Sequence, residues 1–206
     1  MYHNPVLLNE SISGLNINPS GIYVDVTYGG GGHSQEILKN LNSKGKLIAF
    51  DQDQDAIENK SNDRRLNLVK SNFKYLNNFL NYFKINEIDG LLADFGISSH
   101  QIDNKDRGFS TRFNSELDMR MNSTQKIDAK AIVNDYDKDQ LEYIFKNLGE
   151  LRNYKKVAEK IISERAKTPI ETTGDLKKIL SPLVKVKDEN KFLAQVFQSI
   201  RIEVND

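Results

Sequence analysis

Over the first hundred residues, apolar positions fall into short dense runs separated by stretches of helical spacing. GIYVDV (21–26), KLIAFD (46–51) and LNLVK (66–70) are β-rich runs, the first two carrying an acid at or near their ends. IDGLLADF (88–95) is nearly continuous in apolar residues, the pattern of a strand buried in a parallel sheet. Between the runs, Ile37, Leu38 and Leu41 follow Ser34, a residue suited to an N-cap, and DQDAIENK begins another helix. Phe73, Leu76, Leu80 and Phe83 make one helical stripe, expected to be core. Strand and helix alternating at this rhythm predict a doubly wound α/β layer, where ligands sit at the carboxyl ends of the strands.

From about residue 104 the pattern changes. RGFSTRFNSELDMRMN has no sustained period and reads as an ordered loop, with Arg107, Arg112 and Arg120 available to phosphate or to nearby acids such as Asp118. AKAIVND, DQLEYIFKNLG, YKKVAEKIISERAK, DLKKILSPLV and KFLAQVFQSIRIEV follow as helices. The expected organisation is an α/β layer over residues 1–103 and a loop plus α-helical lobe over 104–206. Four parallel strands alone are visible, so the sheet is expected to be incomplete. Strand four would then be an exposed edge that favours self-association.

Composition narrows the function classes. With no cysteine, disulfides, thiolate metal sites and cysteine nucleophiles are excluded. The start, MYHNPVLLNE, has neither the basic nor the apolar region of a signal peptide, and no apolar run approaches a membrane span of about 18 residues, so a cytoplasmic protein is expected. Basic and acidic residues balance at 29 each, but residues 1–103 carry 9 basic and 12 acidic side chains and the remainder 20 and 17. From Lys146 to Lys167, seven bases stand against three acids, compatible with a solvated helix face or with a face for RNA phosphates.

The chemically suggestive residues cluster at the strand ends. Asp25 and the run Gly29 to Gly32 follow strand one, Asp51 closes strand two, Phe73 follows strand three, and Asp94 closes strand four. Asp94-Phe95-Gly96 resembles the magnesium-binding triplet of protein kinases, but a kinase needs a His-Arg-Asp loop shortly before it. The only histidines are His3, His33 and His100, none in that interval. A glycine run between strand and helix permits close backbone approach to a pyrophosphate, a carboxylate or a ribose, and it also suits a plain tight turn. Asp51 is placed to accept hydrogen bonds from a ribose diol, Phe73 to pack on a base or in the core, and Asp25 to meet an ammonium group. A dinucleotide and S-adenosylmethionine both fit, and spacing does not separate them; no metal is called for.

HNPVLLNE (3–10), VDVTYGGGGHS (24–34), AFDQD (49–53), ADFGISSHQ (93–101), RGFS (107–110), ELDMRM (116–121), GEL (149–151) and FQSIRIEVN (197–205) together resemble the bacterial ribosomal RNA small subunit methyltransferase H family, MraW-like enzymes that methylate cytosine N4 in 16S ribosomal RNA. The resemblance implies a Rossmann-like methyltransferase layer that binds S-adenosylmethionine at Gly31, Gly32, His33, Asp51, Phe73, Asp94 and Gln101. It implies small-subunit ribosomal RNA, or the assembled 30S subunit, as partner. Within that reading Asp94 is the candidate acceptor for the amino protons of the target base, with Ser98 or a loop carbonyl as rival, and Phe95 is placed to stack on it. Proteins of the family continue past the helical lobe with further strands, and KFLAQVFQ (191–198) replaces their Asn-Pro-Ala-Thr-Arg stretch, where an RNA contact is therefore not expected. An inactive fragment or RNA-binding protein, and an NAD-dependent oxidoreductase, are the competing readings.

Overall fold

A computed structural model describes residues 5–205; His3 and Asn4 of the first motif, and Asp206, lie outside them. The chain divides into two compact units, Met1–His100 and Gln101–Asp206.

The first unit is a Rossmann-like α/β layer. Strands β1 (Ile22–Asp25), β2 (Lys46–Asp51), β3 (Leu66–Lys70) and β4 (Gly90–Leu92) form one parallel sheet in the order β3-β2-β1-β4. Side chains alternate across it, as the two-residue period of a strand requires. Tyr23, Leu47, Ala49 and Leu66 pack on one face, against Ile37 and Leu38 of α2 (Gly32–Asn40) and Ile12 and Leu15 of α1 (Leu8–Leu15). Val24, Ile48 and Phe50 pack on the other, against Phe79, Leu80 and Phe83 in and after α4 (Leu76–Tyr82). Helix α3 (Gln54–Glu58) is capped by Asp53, whose carboxylate accepts from the Asp55 N–H. Strand order reverses between β1 and its neighbours β2 and β4, the place where open α/β sheets bind ligands.

Several local expectations are corrected. Ser34 does not cap α2; it sits in the first turn and donates its hydroxyl to Asp25, while Gly31, in the left-handed region, takes the cap position. The eight-residue run IDGLLADF yields only the three-residue β4, because its one neighbour among the described strands, β1, is itself four residues long and pairs with it over residues 23–25 alone. Leu91 on it is 44% exposed. Phe73 is not core: it begins a 3-10 turn (Phe73–Tyr75) and is 41% exposed. Helix α1 was not apparent in the sequence, since Gly14 and the polar residues Asn9, Ser11 and Ser13 blur its stripe.

The second unit contains α6 (Ala129–Asp135), α7 (Lys138–Asn147), α8 (Tyr154–Arg165), α9 (Thr173–Leu180) and α10 (Glu189–Asn205), and the short α5 (Ser99–Asp103) leads into it. Asp128 caps α6, and Asp137 with Gln140 and Thr172 with Asp175 form reciprocal capping boxes on α7 and α9. Ile132, Phe145, Ile161, Leu176 and Phe197 are fully buried in this unit. The stretch before α6 is an ordered loop pinned by its own polar groups. Gly108 turns it with φ 71°, and Met119, at φ 58°, donates its N–H to the Arg107 carbonyl at 3.0 Å. Asp118 grips Arg120 through two parallel bonds of 2.8 and 2.7 Å. Among the described residues no helix is long and apolar enough to cross a membrane.

Candidate functional site

Within the first unit, the carboxyl ends of β1, β2 and β4 are joined by one hydrogen-bond network. Asp25, at the end of β1, is fully buried. Its Oδ2 accepts from the Ser34 hydroxyl at 2.7 Å, and its Oδ1 accepts from the N–H and hydroxyl of Thr27 at 3.0 and 3.3 Å. Burial pushes its pKa above the usual carboxylate range, and the bonds from Ser34 and Thr27 pull it back in part. Thr27 in turn accepts the Asp94 N–H at 2.8 Å, which ties the segment after β4 to the glycine loop. Asp51, half-buried at the end of β2, accepts the Gly29 N–H on one oxygen and the Asp53 N–H on the other, each at 2.8 Å. Burial raises its pKa, and these backbone donors oppose the rise.

The glycine loop owes its shape to packing as much as to any ligand. Gly29 and Gly31 have φ of 51° and 77°, where side chains other than glycine are strained. A Cβ on Gly31 would also press on the Tyr28 hydroxyl at 2.8 Å, and one on Gly32 would land on Pro5. The Tyr28 hydroxyl is itself held between the Asn59 carbonyl and the Ser61 N–H, so it props the loop from below. Beyond the loop, the N–H groups of Gly32, His33 and Ser34 open α2 with no carbonyl partner among the described residues, as expected of a first helical turn. Such a turn is a ready site for a carboxylate or phosphate. The His33 ring is buried, with Nε2 3.2 Å from the Val6 carbonyl.

Phe73 and Phe95 belong to segments that leave opposite edges of the sheet, after β3 and β4. Their ring centroids nonetheless lie 5.4 Å apart, tilted by 48°. The pair therefore arches across the carboxyl end of the layer while both rings stay exposed, Phe95 to 70%. The side chain of Asp94 is exposed and engages no partner among the described residues. Gln101 is buried on α5, in the second unit.

The structure thus brings Asp51, the loop of Gly29 to Gly32 and the Asp94 backbone into one network, and sets Phe73 against Phe95. It turns Asp25 inward: both oxygens serve the loop, so Asp25 is an organiser and not a surface for an ammonium group. Thr27 and Tyr28 were missed in the sequence. The signal for Thr27 was present, since an Asp followed two residues later by Thr is the pattern of a local side-chain turn.

The family model for the MraW methylase family matches residues 1–206. The chain belongs to the MraW methylase family. Among curated relatives of this methylase, the ribosomal RNA small subunit methyltransferase H of Christiangramia forsetii is 55% identical over 204 residues, covering 99% of this chain and 68% of the relative. The proteins of the same name from Parabacteroides distasonis and Flavobacterium johnsoniae are 53% and 51% identical, covering 100% and 99% of this chain and 68% of each relative. The α/β layer is accordingly that of a methyltransferase. Among the described residues no group of three or more histidine and carboxylate side chains gathers as a metal site.

Proposed function

We propose that this methylase transfers a methyl group from S-adenosylmethionine to the exocyclic N4 amine of a cytidine in the decoding region of small-subunit (16S) ribosomal RNA. The relatives, named as small-subunit ribosomal RNA methyltransferases, support the RNA class. The observation that carries the donor assignment is the junction of the Asp51 carboxylate with the Gly29 N–H beside the open first turn of α2. Each Asp51 oxygen accepts one backbone N–H, from Gly29 or Asp53, with the Gln52 N–H a weaker third donor, and the carboxylate keeps lone-pair capacity toward the ribose hydroxyls. The N–H groups of Gly32, His33 and Ser34 suit the donor's carboxylate, and the exposed Phe73 ring suits adenine. The residues fit the donor, and residues 1–103 form its domain in this reading.

The bound donor supplies an electrophilic methyl on a sulfonium sulfur. The chain's residues have to hold a weak nucleophile in line with it, because the lone pair of a cytosine amine is delocalised into the ring. Asp94, exposed and unpartnered at the end of β4, accepts an amino proton and lets the nitrogen become more tetrahedral as positive charge develops. Phe95 stacks on the base once it has left its helix, and orientation supplies much of the rate.

Residues 104–206 recognise the substrate, free small-subunit ribosomal RNA or the assembled 30S subunit, in the cytoplasm. In the basic stretch Lys160 and Lys167 are spent on Glu164, at 2.7 and 3.0 Å, and Arg165 on the Val133 carbonyl. Exposed Arg152, Lys155 and Lys156 are left to meet RNA phosphates. The test is incubation with donor labelled in its methyl group and small subunits lacking the modification, then digestion to nucleosides. Label in N4-methylated cytidine is expected; label only in other nucleosides, or none, would refute the assignment.

A further inference from the structure

The loop after α5 carries Arg107, Arg112 and Arg120, and the three are spent differently. Arg120 is paired with Asp118, and Arg107 donates to the carbonyls of Arg120 and Met121 at 2.7 and 3.3 Å. Arg112 is exposed, with its guanidinium 5.4 Å from the centre of the Phe113 ring. Lys105, also exposed, brings its ammonium to the same ring at the same distance. The ring attracts each cation, but the two cations repel one another.

The neighbouring acids leave this charge in excess. Asp103 accepts one Nη2 bond from Arg112 at 2.6 Å, and the Ser110 hydroxyl takes Nε at 3.3 Å; the Nη1 donors have no acceptor among the described residues. Lys105 meets no carboxylate among them either. Asp106 is exposed beside it in the chain, and Asp175 is turned to the N–H and hydroxyl of Thr172. Lys177 adds a third cation, its Nζ 2.6 Å from the Thr111 carbonyl.

The segment that carries these groups is fixed in place. Thr173 Oγ1 donates to the Phe113 carbonyl at 2.8 Å and accepts the Ser115 N–H at 3.0 Å. The Gly174 N–H donates to Asn114 Oδ1 at 3.0 Å, an approach so close that a Cβ on Gly174 would collide with the Asn114 side chain. The loop is thereby docked on the first turn of α9, and folding has already met part of the ordering cost that a ligand would otherwise impose. An exposed guanidinium fork beside a compact ammonium suits the paired oxygens of a phosphodiester on the outside of a folded RNA.

We infer that Lys105 and Arg112, aligned on Phe113, form a contact for the sugar-phosphate backbone of the RNA substrate. Phe113 is the positioning residue that holds both cations, and the contact reads backbone charge and not base sequence. The inference rests on the functional reading above and adds to it a defined contact in the second unit.

The test compares the whole chain with Lys105→Met, Arg112→Met, Phe113→Leu and Phe113→Tyr. Affinity is measured across a salt series for a labelled hairpin of the small-subunit decoding region and for a hairpin of equal length and unrelated sequence. Affinity for S-adenosylmethionine and thermal unfolding are measured beside it. Lys105→Met and Arg112→Met are each expected to bind both hairpins about fivefold more weakly, with the slope of log affinity against log salt shallower by about 0.7 to 0.9. Phe113→Leu is expected to lose about threefold with its slope kept, and Phe113→Tyr to match the parent. All four are expected to keep the donor affinity, and Lys105→Met to keep the unfolding temperature. Unchanged hairpin affinity and slope in both methionine variants, with the parent chain binding donor and RNA, would overturn this inference alone. A loss without a change of slope, or one confined to the decoding-region hairpin, assigns the two residues to uncharged or base contacts and also overturns it. Parent affinity in Phe113→Leu overturns the positioning role of the ring. A parent chain that binds donor but neither hairpin overturns the functional reading together with this contact.

Discussion

Replacing Asp51 with alanine probes the donor site at its best-defined atom pair. Asp51 accepts the Gly29 and Asp53 N–H groups at 2.8 Å each and, in the proposed complex, two ribose hydroxyls. Hydrogen bonds to a charged acceptor contribute about 1.5 kcal/mol each at the low end. Losing two would weaken donor binding by about 3 kcal/mol, or roughly a hundredfold. Stability should fall less than the loss of two backbone acceptors alone would suggest. Burial already disfavours the charged carboxylate, so removing it relieves a cost, and water can reach this half-buried site. A net loss of about 1 kcal/mol is expected. Calorimetric titration with S-adenosylmethionine reads the first quantity and urea unfolding the second. Asp51→Asn, which keeps one acceptor oxygen, should fall between. Donor affinity in Asp51→Ala within about threefold of the parent, with the fold intact, would refute the ribose assignment.

Phe73→Ala should weaken donor binding by about tenfold through lost stacking, without a change in unfolding midpoint, since the ring is 41% exposed. Phe95→Ala should leave donor affinity unchanged and lower the rate of methyl transfer to RNA, so the two rings separate in calorimetry and in transfer assays. Gly108→Ala would place a Cβ against the Glu116 carbonyl at a φ of 71° and should cost at least about 2 kcal/mol in a urea melt followed by helical circular dichroism. Asp118 is subject to burial, which raises its pKa, but the side-chain and backbone bonds from Arg120 and the charges of Arg120 and Arg107 outweigh it and hold the pKa below 3.8. The stabilisation from this pair is therefore complete above 3.8 and lost as pH falls through the lower folded value; Arg120→Met should remove that part of the acid limb. Asp25, raised by burial, has the opposite sign: its contribution weakens stability as pH rises above 3.8, and Asp25→Asn should flatten that limb.

The layer was legible wherever local sequence and tertiary context agree. β3 spans Leu66–Lys70 as its β-rich run indicates, and β1 and β2 end at the acids Asp25 and Asp51. β4 shows where composition misleads. Eight apolar-rich residues supply only three strand residues, because a strand extends only as far as its neighbour offers pairing and β1 is four residues long. Phe73 and Phe95 could not be read as a pair, since they leave strands at opposite edges and only the folded sheet brings their rings together, tilted by 48°. The roles of Asp25 and Asp51 were likewise indistinguishable in sequence. Both close a strand, but one turns into the loop and is consumed by Thr27 and Ser34, whereas the other stays half-buried. Asn205 joins two motifs, ELDMRM and FQSIRIEVN, that lie some eighty positions apart, a link that no local pattern could reveal.

The most direct measurement is a titration of the isotopically labelled chain with S-adenosylmethionine, following backbone amide resonances by nuclear magnetic resonance. Saturable shifts at Gly29, Gly31, Gly32, His33 and the residues flanking Asp51 and Asp94, moved to roughly a hundredfold higher donor concentration in Asp51→Ala, are the expected result. Saturable shifts confined to residues 101–205, or none in the glycine loop at saturating donor, would contradict the claim that the carboxyl ends of β1, β2 and β4 hold the methyl donor.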